Sequence, residues 1–181
     1  MAQRIGVRKL EIDDIPFIVQ YWLHSPSDYL VNMGVDLNKL PNKFDLIRML
    51  TNQLNLPVHK KQSYAFIWTL DKHPIGHCNV NKINFGEKAH MHLHIWEAKH
   101  RKKGFGINFL KATVPLFFKD LRLKAIYCEP KASNKAPNRS IEKFGFKLLK
   151  RYSTTPGSLS FKQEVNQWVL VESDIKNLFS N

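Results

Sequence analysis

Three histidines that alternate with apolar residues are the side chains of this sequence best suited to catalysis. His90, His92 and His94 lie within the segment 90–95, with apolar residues between them. A period of two predicts a strand on which the three histidines share one face. Imidazole changes protonation near neutral pH, so such a side chain can remove a proton from a reacting group, directly or through water. An ordinary half-exposed strand would show the same alternation, and that interpretation stays open.

A short turn with two glycines follows this strand and leads into an apolar, helix-forming run. Its residues are Arg101, Lys102, Lys103, Gly104, Phe105 and Gly106. At a helix N-terminus, backbone amides without an intrahelical partner point outward, and the helix dipole favours negative charge. Glycine also lets the backbone approach a ligand closely. The segment 90–109 therefore predicts an anion-binding site and is the candidate active site.

Alternate histidines on a strand also suggest a zinc site. Zinc sites in proteins take three or four nitrogen, sulfur or oxygen ligands. Apart from Glu97, no carboxylate or cysteine stands near the histidines at ligand spacing. We therefore expect no metal.

Length and composition predict one domain that spans residues 1–181. The chain is 43% hydrophobic, enough for one well-packed core and little for two. Its apolar runs are far shorter than the roughly 20 residues of a membrane span. The N-terminal segment mixes charges into what would be the apolar stretch of a signal peptide. We expect a cytoplasmic protein without a membrane partner, in which Cys78 and Cys128 are buried free thiols.

The charge balance favours anionic ligands. Lys and Arg number 28 against 15 Asp and Glu, a formal net charge of +13. Nucleic acid, a phosphate-bearing cofactor or an acidic protein surface would each suit this balance. A merely solubilising surface is an equally good interpretation, so the charge alone does not choose among partners.

Hydrophobic periodicity predicts a first strand and two helices in the N-terminal third. The strand covers Gln3 to Leu10, and a helix capped by the Asp13–Asp14 pair runs to about Leu23. The segment His24 to Pro41 is predicted as a loop with at most one helical turn. A second helix follows from Asn42, its N-cap, to Leu54.

The rest of the chain alternates between strand and helix patterns. Strands are predicted over 64–70, 75–83, 90–95, 124–129, 146–152 and 161–171, helices after the glycine turn and before Gly145, and a polar tail at the C-terminus. Gly145 suits a helix end that needs a positive φ. This order predicts an α/β (α+β) fold, with helices on both faces of a mixed sheet of about seven strands.

Two motifs at a fixed separation carry a resemblance to a known family. Residues 101–106 fit the pattern [Arg/Gln]-x-x-Gly-x-[Gly/Ala], and Asn134 stands eleven residues before Gly145 in a second motif. With the expected strand before the first motif and a helix after it, the chain resembles the GNAT superfamily of acyl-CoA-dependent N-acyltransferases. The second motif resembles most the branch of the ribosomal-protein alanine N-acetyltransferases. The resemblance covers roughly residues 3 to 172.

This resemblance implies a mostly antiparallel sheet and acetyl-CoA as the co-substrate. The amides of Arg101 to Ile107 would receive the pyrophosphate, with Lys102 and Lys103 adding positive charge. The pantetheine arm would pair with the backbone of Ile95 and Trp96. Asn134 would hydrogen-bond the same arm.

The reaction implied is transfer of an acetyl group to a primary amine of a small molecule or of a protein N-terminus. An ammonium must lose a proton before its nitrogen can attack, so a general base is needed. His92 is the first choice. The His-x-His pair formed by His90 and His92 resembles that of the arylalkylamine N-acetyltransferases. Glu97, nearer the cofactor arm, is the alternative base.

The chain departs from the family pattern at two positions. Ile141 stands where many members carry a tyrosine that protonates the leaving thiolate, and Pro137 stands where the ribosomal branch commonly has serine. The general acid is therefore unassigned. We expect acceptor specificity to come from the segments 24–41 and 154–161, because loops on a rigid scaffold carry such variation.

A second class of function fits the same sequence. A non-catalytic module that responds to acyl-CoA, or that binds nucleic acid, would explain the missing tyrosine and the high positive charge. We favour the enzyme over this alternative, and nucleic acid is not the favoured partner. The sequence leaves room for a homodimer.

Overall fold

Seven strands form one open sheet in the computed structural model, which describes residues 4–179, with side chains up to Ile175. The strands are β1 (Ile5–Lys9), β2 (Ser63–Leu70), β3 (His73–Asn84), β4 (Lys88–Ile95), β5 (Ala125–Cys128), β6 (Lys147–Thr154) and β7 (Gln163–Val171). Their order is β1-β2-β3-β4-β5-β7-β6, and every pair except β4–β5 is antiparallel. The predicted fold class is confirmed. Gln3, the predicted start of the first strand, lies outside the described residues.

Six α-helices accompany the sheet within residues 4–179, two more than the sequence predicts. They are α1 (Ile15–His24), α2 (Ser27–Met33), α3 (Lys43–Asn55), α4 (Phe105–Leu121), α5 (Lys135–Phe144) and α6 (Glu172–Phe179). α2 replaces most of a predicted loop because Leu30 is buried and Gly34 ends the helix at φ +96°. α6 replaces the predicted polar tail. Ile175 packs on the core and Asp174 pairs with Lys147 at 2.9 Å, so tertiary contacts hold this short helix.

The hairpin turn between β2 and β3 is shorter than the sequence predicts. Asp71 and Lys72 both take a positive φ, 50° and 70°, which is the backbone of a two-residue hairpin turn. His73 and Pro74 therefore belong to β3 rather than to the turn. A bulge between Trp68 and Thr69 accommodates the change of register.

One face of the sheet carries the main hydrophobic core. Tyr64, Phe66 and Trp68 alternate along β2 onto this face and pack against α4. Trp68 stacks on Phe109 with ring centroids 4.7 Å apart, and its indole donates to Thr113 at 2.8 Å. Aromatic burial on this scale fixes α4 against the sheet, which places the glycine turn at the N-terminus of α4 beside the end of β4.

On the opposite face of the sheet, β3 and β4 carry polar side chains that face α1 and α3. His77 and Asn79 of β3 lie on it, next to His92 and His94 of β4. The two helices pack on each other through a separate small core of Ile15, Val19 and Leu46. Tyr21 of α1 contacts His77 and His94, and beside this contact a cavity remains between the two helices and the histidine face.

The parallel pair β4–β5 is short, and this opens the sheet. Pairing covers only Lys88–Ala125, Ala89–Ile126 and His90–Tyr127, whereas β4 continues to Ile95. The two strands therefore part beyond His90. The opening lies between the histidine strand and the start of α5.

Gly76 allows β3 and the end of β4 to lie close together, and we predict that Gly76→Ala destabilises the protein. A Cβ at this position would lie 2.3 Å from the carbonyl oxygen of His94, which belongs to the backbone and cannot rotate away. We expect a loss of about 1–3 kcal/mol in the free energy of unfolding, measured by urea titration. Gly157→Ala is the matched control, because its Cβ would meet Ser160 at an ordinary 3.7 Å. Equal stability of the two variants would contradict the close packing.

Candidate active site

A cavity of about 840 Å³ lies between the histidine face of the sheet and the α1–α3 pair. His92 and His94 form part of its floor with Asn81, and Trp22 of α1 lies in its wall. The segments expected to confer specificity also reach it, through Met33 and the residues 157–160. A cavity of this size suits a small organic molecule.

His92 is held in one tautomer inside this cavity. Its Nε2 lies 3.1 Å from Oδ1 of Asn81. An amide oxygen only accepts hydrogen bonds, so Nε2 carries the hydrogen and Nδ1 keeps a free lone pair. Burial, and to a lesser degree His90, lowers the pKa of His92 to about 4. His92 is therefore neutral at physiological pH and can accept a proton at Nδ1.

His94 belongs to a buried network rather than to a free reactive surface. The hydroxyl of Tyr21 lies 3.2 Å from its Nδ1, and the ring of His77 stacks on it with centroids 4.6 Å apart. The indole of Trp96 donates to Nδ1 of His77 at 2.8 Å. Burial lowers the pKa of His77 to about 3 and that of His94 well below its ordinary value. These contacts make His94 and His77 part of the framework that supports the site.

His90 lies where β4 and β5 part, and it faces a carboxylate. Its Nδ1 is 3.7 Å from Oε2 of Glu129, whose side chain is 6% exposed. Tyr152 and Gln167 donate to the other carboxylate oxygen at 2.6 and 2.7 Å. Burial lowers the pKa of His90, and the charge of Glu129 opposes that shift. The hydrogen bond to Glu129 raises the pKa of Tyr152 to about 12.

Sequence reasoning missed Glu129 and Tyr152. They lie on neighbouring parts of the sheet but far from His90 in the chain. The available signal was a carboxylate at the end of a strand, directly before Pro130. Only the sheet order brings these residues together.

The buried histidines predict a loss of stability in mild acid. His77 and His92 stay neutral in the native state, whereas the unfolded chain binds protons below the ordinary histidine pKa of 6.5. As pH falls through this window, proton binding favours the unfolded state. Each histidine should then lower the free energy of unfolding by about 1.4 kcal/mol per pH unit, or about 2 kcal/mol between pH 6.5 and 5.

Urea titrations at pH 7, 6 and 5 measure this effect. His92→Gln should reduce the dependence on pH by about a third, because the buried His77 and His94 remain, while His73→Ala, at an exposed position of β3, serves as the control. A free energy of unfolding that stays constant from pH 7 to 5 would contradict a neutral buried cluster.

The alternative base, Glu97, lies apart from the histidines. Its side chain is 54% exposed and pairs with Lys99 at 2.7 Å. This hydrogen bond lowers the pKa of the Glu97 carboxyl. Glu97 does not line the histidine cavity. The structure thus gives it a surface ion pair and no contact with that cavity.

The glycine turn has the backbone of an open anion cradle. Gly104 directly precedes α4 with φ +78°, and a Cβ there would meet no atom within 4 Å. At Gly106 a Cβ would lie 3.7 Å from Ser140 of α5. The side chains of Phe105 and Ile107 pack against the core. The first backbone N–H groups of α4 can thus donate hydrogen bonds to an anion.

A second cavity, of about 690 Å³, brings the two sequence motifs together. Lys102 of the turn and Asn134 at the N-terminus of α5 both line it. Three further cations in its wall are Lys131, Lys135 and Arg139. No aspartate or glutamate lines it in the described part of the chain. Its charge therefore suits a ligand with several phosphates.

The backbone of β4 presents free groups to the opening between β4 and β5. Trp96 donates its N–H to Ile75 of β3 at 2.9 Å, and in an antiparallel ladder alternate residues face the two neighbours. Met91, Leu93 and Ile95 accordingly face the opening, as the bond from Cys128 to the Met91 carbonyl shows. Leu93, which sequence reasoning missed, lies in the middle of this edge.

Arg101 ties the glycine turn to the end of β4. Its guanidinium donates to the carbonyl oxygens of Ile95 and Trp96 at 3.0 and 2.6 Å. The same group stacks on Tyr29 of α2 at 3.8 Å. Lys103 is exposed and makes no such contact with the strand. The turn is thus fixed beside the strand by a side chain as well as by its backbone.

The described residues hold neither a metal site nor a membrane-spanning helix. No cluster of three or more histidine, cysteine or acidic side chains within residues 4–175 has the arrangement of a metal site. Among the helices of residues 4–179, none combines the length and apolar character needed to span a membrane. Cys78 and Cys128 are both buried free thiols, as expected.

Three solved structures share the fold of this chain at low sequence identity. The spermidine N-acetyltransferase of Vibrio cholerae, in complex with CoA and spermine, superposes with a TM-score of 0.77 at 18% identity, over 94% of this chain and 97% of that one. An aminoglycoside acetyltransferase in complex with coenzyme A gives 0.71 at 18% identity, over 96% and 98%. RimL, a ribosomal L7/L12 N-acetyltransferase in complex with coenzyme A, gives 0.74 at 12% identity, over 92% and 93%. No curated protein matches the sequence.

The sequence model of the acetyltransferase (GNAT) domain matches residues 4–147. This range includes the histidine strand, the glycine turn and all of α5, and it covers most of the chain. It confirms the expected enzyme class, an acetyl-CoA-dependent N-acetyltransferase. The match does not single out the ribosomal-protein branch. The chain belongs to the acetyltransferase (GNAT) domain family.

Proposed function

We propose that this protein moves the acetyl group of acetyl-CoA to a primary amine by direct attack, with His92 as the general base. The observation that carries the proposal is that two cavities are adjacent and share Met33 in their walls. One cavity is basic and contains Lys102 and Asn134. The other contains His92. A donor in the first cavity would present its thioester to an acceptor in the second.

The basic cavity and the glycine turn would hold coenzyme A. The free amides at Gly104 to Ile107 would receive its pyrophosphate, and Lys102 would add positive charge. The pantetheine arm would pair with the backbone of Leu93 and with the N–H of Ile95, which face the opening beside β4, whereas the Ile95 carbonyl already accepts from Arg101. Trp96 would not take part through its N–H, which is bonded to β3. Asn134 would hydrogen-bond the arm from the far wall.

The chemistry requires removal of a proton from the acceptor nitrogen. The bound ammonium passes a proton to Nδ1 of His92, directly or through water, and the free amine attacks the thioester carbonyl carbon. A C–N bond forms and the C–S bond breaks when the tetrahedral intermediate collapses. The coenzyme A thiolate then takes up the second proton that the nitrogen loses. No covalent enzyme intermediate is needed.

His90 and Glu129 support this base. When His92 is protonated, its positive charge lies near the imidazole of His90, which is two residues away on the same face of the strand. The Glu129 carboxylate, 3.7 Å from His90, stabilises positive charge on that imidazole. We assign His90 and Glu129 as positioning residues. Glu97 is not part of the proposed mechanism, because its carboxylate pairs with Lys99 at the surface.

The family supports an amine as the acceptor and does not indicate which kind of amine. The similar solved structures are a spermidine, an aminoglycoside and a ribosomal-protein acetyltransferase, three different kinds of acceptor. The Asn134 motif supports the ribosomal-protein branch, and Pro137 departs from it. We therefore propose a primary amine of a small molecule or a protein N-terminus.

Two linked measurements test the proposal. Acetyl-CoA at 100 times its dissociation constant should raise the free energy of unfolding by about 2.7 kcal/mol, seen as a higher melting temperature. Thiol release should then follow when a panel of amines and peptides is added. If acetyl-CoA does not raise the melting temperature, it is not the acetyl donor of this protein. A shift without thiol release from any acceptor would favour the non-catalytic acyl-CoA-responsive module.

A further inference from the structure

We propose that the acceptor is a monoamine with an apolar body and no second positive charge. This inference rests on the proposed function and concerns its acceptor cavity. A preference for such a monoamine would distinguish this protein from enzymes that acetylate polycations such as spermidine or aminoglycosides.

The walls of the acceptor cavity are largely apolar away from the histidines. α3 contributes Leu46, Met49, Leu50 and Leu54, and Leu56 follows from the segment behind it. The polar groups of the cavity instead include His92 and Asn81, on the sheet side. An acceptor with its amine at His92 would therefore bury its remaining atoms against aliphatic side chains, and removal of this apolar surface from water favours binding.

The charged side chains of this cavity are all positive. Within residues 4–175, no aspartate or glutamate lines it, whereas Lys9, Lys39 and Lys61 do. The carboxylates nearest to two of these lysines already form ion pairs. Asp120 lies 3.0 Å from Lys9, and Asp36 lies 3.6 Å from Lys39, and neither carboxylate lines the cavity.

Lys61 gives the α3 side of the cavity a fixed positive charge. It is 7% exposed, and its ammonium donates to the backbone carbonyls of Gln53 and Leu54 at the C-terminal end of α3. No carboxylate is paired with it among the described side chains. Burial lowers its pKa. A second ammonium on the acceptor would meet this charge without a counter-ion.

The energetic consequence is selection against polycations. A charge that leaves water costs free energy unless an opposite charge or several hydrogen bonds replace its hydration. A monoamine leaves only its reacting nitrogen charged, and that nitrogen gives its proton to His92. A diamine or polyamine would carry further ammonium groups into a cavity with apolar walls, with no carboxylate in its lining among residues 4–175, and with Lys61, which has no carboxylate partner among the described side chains.

A matched pair of amines tests this inference. Octylamine and 1,8-diaminooctane have the same carbon chain and differ only in the second ammonium. With acetyl-CoA saturating, we expect kcat/KM for octylamine to exceed that for 1,8-diaminooctane by about tenfold or more, and spermidine and kanamycin to react more slowly still. Equal or faster turnover of the diamine or of spermidine would overturn the inference and leave the proposed function intact. No thiol release from any amine, despite binding of acetyl-CoA, would instead overturn the proposed function.

Met49→Glu provides a second test that does not depend on the wild-type rates. Met49 lines the cavity and is 53% exposed, so a charged residue there should not unfold the protein. The new carboxylate should raise the ratio of kcat/KM for 1,8-diaminooctane to that for octylamine by about fivefold, which corresponds to one partly exposed ion pair. Met49→Gln has nearly the same size and no charge, and should keep the wild-type ratio. A ratio that is the same in the Glu and Gln variants would overturn selection by charge.

Discussion

Replacing His92 by alanine is expected to lower kcat for amine acetylation by about 10²- to 10⁴-fold, the usual contribution of a general base. The dissociation constant of acetyl-CoA should stay unchanged, because His92 lines the acceptor cavity and not the basic cavity. In the proposed mechanism, the neutral imidazole of His92, with Nε2 bonded to Asn81, accepts the proton of the amine. Steady-state kinetics with a saturating amine, together with calorimetric titration of acetyl-CoA, measure both quantities.

The dependence of kcat on pH separates a chemical role of His92 from a structural one. His92 must be unprotonated to act, and its pKa is lowered to about 4, so this group should keep kcat constant down to about pH 5. His92→Gln, which keeps a polar side chain, should lose as much activity as His92→Ala if the proton acceptor is what matters. His73→Ala, an exposed histidine on the neighbouring strand, serves as the control with unchanged kcat. A His92→Ala enzyme within threefold of wild type would remove His92 from the mechanism.

Gly104→Val is expected to weaken acetyl-CoA binding by about 10- to 100-fold, equivalent to losing one hydrogen bond to a charged phosphate. A side chain at this position would occupy the open space in front of the first amides of α4, where no protein atom lies within 4 Å of the Cβ. Calorimetric titration with acetyl-CoA measures the loss. kcat at saturating acetyl-CoA should change much less than the dissociation constant.

Gly86→Val is the matched control for backbone strain. Gly86 has φ +82° and, as at Gly104, an added Cβ would meet no atom within 4 Å, but Gly86 lies in the turn between β3 and β4. Valine disfavours positive φ at both positions, so both variants should lose a similar amount of stability. Only Gly104→Val should lose acetyl-CoA affinity. Equal loss in both variants would assign the effect to strain rather than to the anion cradle.

The local features of the site were predictable from sequence because they depend on neighbouring residues. The alternation of His90, His92 and His94 with apolar residues fixes a strand, and the strand does place them on one face. The two glycines of the turn and the apolar run behind them fix the start of α4. The sheet of about seven strands followed from the order of the elements, and its mostly antiparallel pairing from the resemblance; both are confirmed.

Two elements escaped prediction because tertiary contacts hold them. α2 has polar residues in several positions and depends on the burial of Leu30. α6 is short and depends on Ile175 and on the ion pair between Asp174 and Lys147. Isolated helices of this length are marginal in water, so local sequence carries little signal for them.

The sequence by itself determined the chemistry available to this protein: a strand with three histidines, a glycine turn suited to anions, and a second motif at Asn134. The tertiary structure decided which groups meet. It brought Glu129 to His90, gave His92 its tautomer through Asn81, and left Glu97 at the surface. It also made an acceptor cavity without acidic side chains among the described residues. The physical reason is that periodicity and turn chemistry act over a few residues, whereas these contacts depend on strand order and on how α1–α3 lie over the sheet.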